Sequence, residues 1–183
     1  MHKEMHWKSL NKKELFRNQW VTMHTEEIAL PNGHIIEDYV TVKFNDWIGV
    51  IALTDDDHII LVKEYRHAVE AVNYHLPAGI IDEGEAGITA AIRELEEETG
   101  YTTNQPAELL LKSCPAPSKI NTWSSIYLMK DVCLKGAQQL EITENIIVEK
   151  VALSDLRSYV DEGKIVDTFS IAGIYKALDQ IKK

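Results

Sequence analysis

The sequence predicts an α/β fold in which a mixed sheet lies between layers of helix. Three observations lead to this prediction. Short apolar segments typical of strands occupy most of the chain, one helical segment interrupts them near its middle, and two further helical segments follow the last strand. Because a sheet and a helix must each bury an apolar side, this order favours helices packed on both faces of one sheet.

Residues 1–45 are predicted to form an N-terminal β-hairpin arm that precedes the main domain, residues 46–183. The first 17 residues carry mixed charge, and we expect them to be a short lead-in. Trp20–Thr25 and Ile35–Phe44 have the composition of strands, and Pro31-Asn32-Gly33 lies between them as a turn. A hairpin alone is marginal in water, so the arm should pack on its own core or on a second subunit.

Five further segments are predicted strands of the main sheet: Trp47–Thr54, His58–Tyr65, Glu108–Cys114, Thr122–Met129 and Ile146–Leu153. The first is an almost continuous apolar run, as expected for a strand that is buried on both faces. Gly49 interrupts this run and indicates a bulge or a close approach of the backbone to a neighbour. Tyr74–Pro77 is expected to be a short approach to the central helix.

The central helix is predicted over Ala86–Glu98, which contains no proline. Ala91, Leu95 and Ile92 form its expected apolar stripe, and Gly100 is placed to end it.

Two C-terminal helices are predicted over Ser154–Val160 and Asp167–Ile181, with Ser154 and Asp167 as N-caps. In the second, apolar residues recur at helical spacing.

Three glutamates of the central helix indicate a metal site. Glu94, Glu97 and Glu98 stand at i, i+3 and i+4, and therefore share one helix face. Like charges at this spacing repel by roughly 0.2–0.5 kcal/mol per pair. A bound cation would turn this repulsion into a net attraction between the carboxylates and the ion. Clustered carboxylates suit Mg²⁺ or Mn²⁺. The alternative is a solvated acidic helix face, which is what most glutamate runs form.

The segment around these glutamates resembles the Nudix box, GX5EX7REUXEEXGU, where U is a bulky apolar residue. Its fixed positions are filled by Gly79, Glu85, Arg93, Glu94, Leu95, Glu97, Glu98 and Gly100. Tyr101 departs from the pattern, since it is aromatic where the box has an aliphatic residue. The resemblance covers 23 residues and indicates a reaction class, not a substrate.

The resemblance to the Nudix family implies a Nudix-type α/β/α sandwich and hydrolysis of a nucleoside diphosphate linked to another moiety. It implies Mg²⁺ as cofactor, with Mn²⁺ as a possible substitute. Glu94, Glu97 and Glu98 would bind the metal together with the carbonyl oxygen of Ala78, and Glu97 would act directly in catalysis. Glu85 and Arg93 would have a structural role.

Other stretches resemble the ADP-ribose pyrophosphatase branch, which cleaves nucleoside diphosphate sugars. Lys63-Glu64-Tyr65-Arg66 is one, and we expect Arg66 to bind the diphosphate, because a guanidinium forms paired bonds with phosphate oxygens. Pro117 is another, although Ser118 follows it where that branch has glycine.

In that branch an N-terminal hairpin crosses to a partner subunit, and an aromatic residue from it stacks on the adenine. Trp20 occupies such a position, and Tyr39 is a candidate for the opposite face of the base. Packing within the hairpin is the alternative for Trp20. We therefore expect a homodimer.

The attacking water needs a general base, which in this branch is often a glutamate on a late loop. We predict Glu144, with Glu141 as second choice, in the segment QLEITEN. The alternative is that both are exposed loop acids. His67 and His75 are expected to be structural.

The composition argues against some classes of binding partner. The formal net charge of −10 argues against nucleic-acid or anionic-membrane binding. The start, MHKEMHWKSL, lacks the apolar core of a signal peptide, and no apolar run is long enough to span a membrane, so we expect a cytoplasmic protein. Cys114 and Cys133 are expected to be ordinary thiols.

The sequence therefore predicts Mg²⁺-dependent hydrolysis of a nucleoside diphosphate sugar, with ADP-ribose as leading candidate and AMP and ribose 5-phosphate as products. A GDP-mannose or other nucleoside diphosphate sugar pyrophosphatase is the first alternative. A nucleotide-sensing Nudix module without catalysis is the second, although its usual sign, loss of box glutamates, is absent.

Overall fold

The computed structural model describes residues 5–181, and the chain divides into two compact units. The N-terminal unit contains the residues up to Asp46 together with Cys114–Trp123. The catalytic unit contains Trp47–Ser113 and the chain from Ser124 onward. The sequence did not assign residues 114–123 to the N-terminal region, and the roles of that region in dimerisation and base binding stay predictions.

The N-terminal unit is built on a three-stranded antiparallel sheet rather than on a hairpin. Its strands are β1 (Lys8–Arg17), β2 (Val21–Ala29) and β3 (Ile35–Phe44), in the order β1-β2-β3. The expectation of a lead-in over residues 1–17 was therefore wrong for residues 8–17. Every residue of β1 is exposed. A strand without a buried face does not need alternating apolar and polar residues, so the pattern that indicates a strand is absent from this segment.

The segment Cys114–Trp123 joins this unit through backbone hydrogen bonds to β3. The N–H of Val42 donates to the carbonyl of Lys119 at 2.8 Å, and the N–H of Asn121 donates to the carbonyl of Val42 at the same distance. These bonds are long-range in sequence, which is why composition alone did not indicate them.

The catalytic unit contains a seven-stranded mixed sheet. Its strands are β4 (Trp47–Leu53), β5 (His58–Arg66), β6 (Ala71–His75), β7 (Ala78–Ile80), β9 (Glu108–Ser113), β10 (Ser124–Met129) and β12 (Ile147–Ala152), and two short strands, β8 (Tyr101–Thr102) and β11 (Cys133–Leu134), pair separately. The main order is β12-β5-β4-β10-β9, with β4 and β10 parallel. The short strand β6 pairs with β5, and β7 pairs with β4. The sequence missed both and treated Tyr74–Pro77 only as an approach.

Three helices complete the catalytic unit: α1 (Gly87–Thr99), α2 (Leu156–Asp161) and α3 (Thr168–Ile181). Asp167 caps α3 as predicted, because its Oδ1 accepts the N–H of Ser170 at 2.7 Å. The prediction of Ser154 as the N-cap of α2 was wrong, since Asp155 holds that position and makes no side-chain capping bond.

Strand β4 shows why the fold is an α/β/α sandwich, as the sequence predicted. Ile48, Val50 and Ala52 are fully buried in the core that contains Ala90, Ala91 and Leu95 of α1. Ile51 and Leu53, on the opposite face, belong to the core that contains residues of α2 and α3. At Gly49 the predicted close approach is observed: a Cβ there would lie 2.5 Å from Cε1 of Phe169 on α3.

The orientation of α1 differs in one detail from its prediction. Ala90, Ala91 and Leu95 form the buried stripe, whereas Ile92 is 41% exposed, so its predicted place in the stripe was wrong. Gly100 ends the helix in the left-handed conformation, with φ of 73°. No helix within residues 5–181 is long and apolar enough to cross a membrane.

Candidate active site

Arg93 fastens the loop before α1 to the helix. Its Nε donates to Oε1 of Glu85 at 3.1 Å, and its Nη2 donates to Oε2 of Glu85 at 2.9 Å and to the carbonyl of Ile80 at 3.1 Å. The bond from Arg93 lowers the pKa of Glu85. Glu85 and Arg93 therefore hold the loop on the helix, in keeping with the structural role expected of them.

The same guanidinium also contacts two of the predicted metal ligands. Nη1 of Arg93 lies 2.7 Å from Oε1 of Glu94 and 3.1 Å from Oε2 of Glu97. Sequence reasoning missed these contacts, although the i,i+4 spacing of Arg93 and Glu97 is a signal for them. Arg93 therefore offsets part of the carboxylate charge on this face of α1.

The three glutamates differ sharply in exposure. The side chain of Glu97 is 42% exposed and that of Glu94 is 12% exposed, while Glu98 is buried as a residue, with 4% of its surface accessible. Oε2 of Glu98 accepts the backbone N–H of Ala78 at 2.9 Å. The carboxylate of Glu94 lies against Gly79, where a Cβ would overlap it. A side chain at residue 79 would therefore have to displace this carboxylate.

Burial makes the negative charge of two of these glutamates costly. Burial is the largest cause of the raised pKa of Glu98, which reaches about 8, and the charges of Glu94, Glu144 and Glu64 add to it. Burial also raises the pKa of Glu94, against the lowering effect of Arg93. The negative charges of other carboxylates therefore add to the cost of ionising Glu94 and Glu98.

The donor set fits a divalent cation. Carboxylate oxygens are hard ligands, and a buried carboxylate with a single backbone donor, as Glu98 has, is ionised most readily beside a positive charge. Among residues 5–181 no three His, Cys, Asp or Glu side chains already converge in a metal-binding arrangement. Two of the three carboxylates are instead turned toward Arg93. The ligand roles of Glu94, Glu97, Glu98 and the Ala78 carbonyl stay predictions.

The loop between β11 and β12 carries the two candidate bases. Oε2 of Glu144 accepts the N–H of Glu141 at 2.8 Å, and the N–H of Glu144 donates to the carbonyl of Glu141 at 3.0 Å. The charge of Glu144 is one of the smaller causes of the raised pKa of both Glu94 and Glu98. Glu144 is therefore the better candidate of the two, and its role as general base stays a prediction.

Two glutamines that sequence reasoning missed hold this loop against α1. Nε2 of Gln138 donates to the carbonyl of Glu98 at 2.6 Å and to that of Ile146 at 3.2 Å. The N–H of Gln139 donates to the carbonyl of Glu97 at 2.8 Å. Glutamine in a polar loop carries no signal of this role, which depends on the fold. These bonds place the Glu144 loop at the C-terminal end of α1.

Arg66 lies at the end of β5 and has two side-chain partners. Its Nη1 lies 3.0 Å from Oε2 of Glu64, and its Nη2 lies 3.0 Å from Nε2 of His75. The side chain of Arg66 is 49% exposed, so it remains open to a ligand. The charge of Glu64, which pairs with Arg66, is also one of the smaller causes of the raised pKa of Glu98.

The two predicted base-binding aromatics belong to the N-terminal unit. Trp20 is 55% exposed and lies just before β2. Tyr39 on β3 already has ring contacts: Nζ of Lys119 lies 3.5 Å from its centroid, and the ring of Trp7 meets it edge-on at 5.7 Å. Its hydroxyl donates to the carbonyl of Ser118. The exposure of Trp20 suits stacking on a base better than the crowded ring of Tyr39, and both roles stay predictions.

The glutamate-rich helix α1 packs against Gly79, and Arg93 of this helix is bonded to Glu85 of the preceding loop. Together with the α/β/α sandwich, this arrangement defines a class of diphosphate hydrolase. The NUDIX domain family matches residues 43–162, which is more than half of the chain, and the chain belongs to this family. It is a Nudix hydrolase.

The chain is similar to several curated proteins. It is 29% identical over 166 residues to the ADP-ribose pyrophosphatase of Bacillus subtilis, covering 90% of this chain and 89% of that one. It is 28% identical over 168 residues to the methanol dehydrogenase activator of Bacillus methanolicus, covering 91% and 90%. It is also 47% identical over 101 residues to the ADP-ribose pyrophosphatase of Saccharomyces cerevisiae, covering 49% and 44%.

A solved structure supports the fold. The chain resembles the crystal structure of an ADP compounds hydrolase with a TM-score of 0.83 and 22% identity, covering 96% of this chain and 94% of that one. At this identity the likeness concerns the fold alone.

Proposed function

We propose that this chain is a Mg²⁺-dependent pyrophosphatase of nucleoside diphosphate sugars and that ADP-ribose is its leading substrate. The observation that supports the proposal is the glutamate face of α1, where Glu98 is buried and bonded to the N–H of Ala78 and the carboxylate of Glu94 lies against Gly79. The similarity to the B. subtilis ADP-ribose pyrophosphatase, which spans nearly the whole of both chains, supports the substrate. Mn²⁺ is the expected substitute for Mg²⁺.

The chain's own residues account for the steps around the diphosphate. When bound, the cation offsets the charge of the diphosphate and lowers the pKa of a water. Arg66 binds diphosphate oxygens through N–H groups not used by Glu64 and His75. Glu144 accepts a proton from the attacking water, whose oxygen bonds to one phosphorus as the bridging P–O bond breaks. The products from ADP-ribose are AMP and ribose 5-phosphate.

The N-terminal unit is proposed to supply base binding and dimer contacts. The exposed Trp20 would stack on the adenine, which is worth roughly 1–3 kcal/mol per base. Tyr39 is the second candidate for this contact. We place the protein in the cytoplasm as a homodimer whose substrate is a small nucleotide and not a nucleic acid, in keeping with the net charge of −10.

Product analysis tests the substrate class. Purified protein with Mg²⁺ is incubated with ADP-ribose, ADP-glucose, GDP-mannose, UDP-glucose, NADH and nucleoside triphosphates, and products are separated by chromatography. We expect release of AMP from ADP-ribose in the wild type and none in Glu97→Gln. Preferred cleavage of GDP-mannose would move the assignment to the first alternative. Binding without turnover would indicate a sensing module.

The assignment of Glu144 is tested with a matched pair. Glu144→Gln should lower kcat by roughly 10²–10⁴-fold with little change in KM, because general bases contribute about that much. Glu141→Gln, in the same turn, should retain most of the activity. An unchanged kcat in Glu144→Gln, or an equal loss in both variants, contradicts the assignment.

A further inference from the structure

The side chain of Gln138 closes the loop between β11 and β12 at its base. Its Nε2 donates to the carbonyl of Ile146, eight residues further along the chain, at 3.2 Å. Ile146 is buried, with 5% of its surface accessible, whereas Ile142 between them is fully exposed. Residues 138–146 are therefore a compact loop whose ends are joined and whose middle lies in solvent, and this loop carries Glu144.

The same amide nitrogen joins the loop to the end of α1. It donates to the carbonyl of Glu98 at 2.6 Å, and the backbone N–H of Gln139 donates to the carbonyl of Glu97 at 2.8 Å. Both carbonyls belong to the last turn of α1, where carbonyl groups have no partner within the helix. The loop therefore supplies donors to two acceptors that the end of the helix leaves open.

The partners of Gln138 fix the orientation of its amide. Both are carbonyl oxygens, which only accept, so the NH2 group and not the amide oxygen must point toward them. An amide nitrogen carries two hydrogens, and the two carbonyls use both of them. One side-chain group thus connects the start of the loop, the end of the loop and the end of α1.

The two residues of α1 that hold the loop are also proposed metal ligands. The carboxylates of Glu97 and Glu98 would bind the cation, while their backbone carbonyls accept hydrogen bonds from the loop that carries Glu144. A general base must lie within hydrogen-bond reach of the water that it deprotonates. Because a displacement of about 1 Å can reduce a rate by roughly 10²-fold, the fixing of this loop bears directly on the reaction.

We propose that Gln138 is a positioning residue for hydrolysis, whose side-chain amide holds Glu144 in place relative to the glutamates of α1. This inference rests on the proposed function, in which Glu144 is the general base. It extends that function by naming a residue outside the Nudix box on which kcat depends. Both amide hydrogens of Gln138 are used within the protein, so its effect passes through Glu144.

Steady-state kinetics of Gln138→Met test the proposal. Methionine keeps the length of the side chain and removes both hydrogen bonds. We expect kcat for ADP-ribose to fall by roughly 10–100-fold with KM nearly unchanged, because the loop loses its fixed position while the groups that bind the substrate stay in place.

Asn145→Ala is the matched control. It removes an exposed amide from the same loop, and within residues 5–181 this amide has no side-chain hydrogen bond. The variant should keep the wild-type kcat. A loss of kcat in Asn145→Ala equal to that in Gln138→Met would show that any change in this loop has the same effect, and the specific role of Gln138 would fail.

A double-mutant cycle separates positioning from a general loss of folded protein. In the Glu144→Gln background, Gln138→Met should cause no further fall in kcat, because the group that it positions is already absent. A purely structural defect would lower kcat by the same factor in both backgrounds. Equal factors, or an unchanged kcat in Gln138→Met alone, overturn the proposal.

Hydrogen exchange gives a readout that needs no substrate. In Gln138→Met the backbone amides of residues 138–146 should exchange faster than in the wild type, while those of the buried strand β4 keep their protection. If the loop exchanges as slowly in Gln138→Met as in the wild type, Gln138 does not hold it, and the proposal is wrong.

The outcomes separate this proposal from the proposed function. If Gln138→Met keeps its kcat whereas Glu144→Gln loses activity, only the inference about Gln138 fails. If Glu144→Gln keeps its kcat, the assignment of the general base fails and the inference falls with it, while the substrate class stands. If the wild type does not cleave nucleoside diphosphate sugars, the proposed function itself is wrong, and the positioning role falls with it.

Discussion

The negative charge of Glu98 is costly to the folded protein. It is buried, and its pKa is raised from 4.5 to about 8, mainly by that burial. At neutral pH this burial therefore favours the protonated form of Glu98 in the folded protein, whereas in the unfolded chain the residue is ionised. Active sites often carry such a loss of stability, because activity requires charged groups to be held in unfavourable surroundings.

We expect Glu98→Gln to be more stable than the wild type without metal. Because the folded pKa is raised, the contribution of Glu98 is fully favourable below about pH 4.5 and is lost as pH rises through about 8. In EDTA at pH 8 the variant should gain on the order of a few kcal/mol in free energy of unfolding, measured with urea.

Two controls accompany this measurement. Glu97→Gln, whose side chain is far more exposed, should shift the unfolding free energy in EDTA much less. Mg²⁺ should stabilise the wild type and have a smaller effect on Glu98→Gln. If the wild type in EDTA is as stable as Glu98→Gln between pH 5 and 8, ionised Glu98 does not destabilise the folded protein.

Residues that follow a sequence-local rule could be predicted. Glu94, Glu97 and Glu98 are spaced at i, i+3 and i+4 on α1, so helix geometry alone places them on one face. The contact of His75 with Arg66 could not be predicted, because it depends on the pairing of β6 with β5. The anchoring of the Glu144 loop by Gln138 likewise depends on tertiary packing.

Among the elements, the end of α1 fixes both the helix and the loop of the candidate base. Gly100 has φ of 73°, and its carbonyl accepts the N–H of Lys135 at 2.9 Å and of Gly136 at 3.2 Å. A Cβ at this position would overlap the carbonyl oxygen of Gly136. Both the backbone conformation and the close approach therefore require glycine.

Gly100→Ala should destabilise the protein by about 2 kcal/mol or more, because it combines left-handed strain with a backbone clash. It should also lower kcat, since the clash displaces the start of the Glu144 loop. Urea unfolding and steady-state kinetics measure the two effects.

Gly163→Ala is the matched control for this prediction. Gly163 has φ of 70° but open space around a Cβ, so its substitution adds strain without a clash. It should cost about 1–2 kcal/mol and leave kcat unchanged. Equal kcat values for the two variants would show that the contact of Gly100 with Gly136 does not position the loop.

Elements were predictable where their periodicity was strong. The buried strand β4 and the helix α3 were found within one or two residues of their bounds. Strand β1 was missed because all ten of its residues are exposed, and β6 and β7 because they have five and three residues. In these cases pairing with a neighbouring strand, and not local pattern, determines the conformation.

At the scale of the whole molecule, β1 is the feature that a single chain leaves unexplained. It is an edge strand of the N-terminal sheet, and Leu10, Leu15 and Phe16 on it are 44–51% exposed. Exposed apolar side chains on an open strand edge are a liability unless another surface covers them. The proposed homodimer would provide that cover.

The dimer is tested by light scattering at micromolar concentration, where we expect twice the mass of one chain. Leu15→Lys combined with Phe16→Lys should yield monomers, because two charges would have to be buried without partners in the interface. Leu109→Lys, at a residue of the catalytic unit that is 57% exposed, should remain dimeric.

If the dimer also provides base stacking by Trp20, the monomeric variant should show a raised KM for ADP-ribose while its melting transition stays cooperative. A monomeric wild type would remove the dimer and leave the catalytic unit to bind substrate alone.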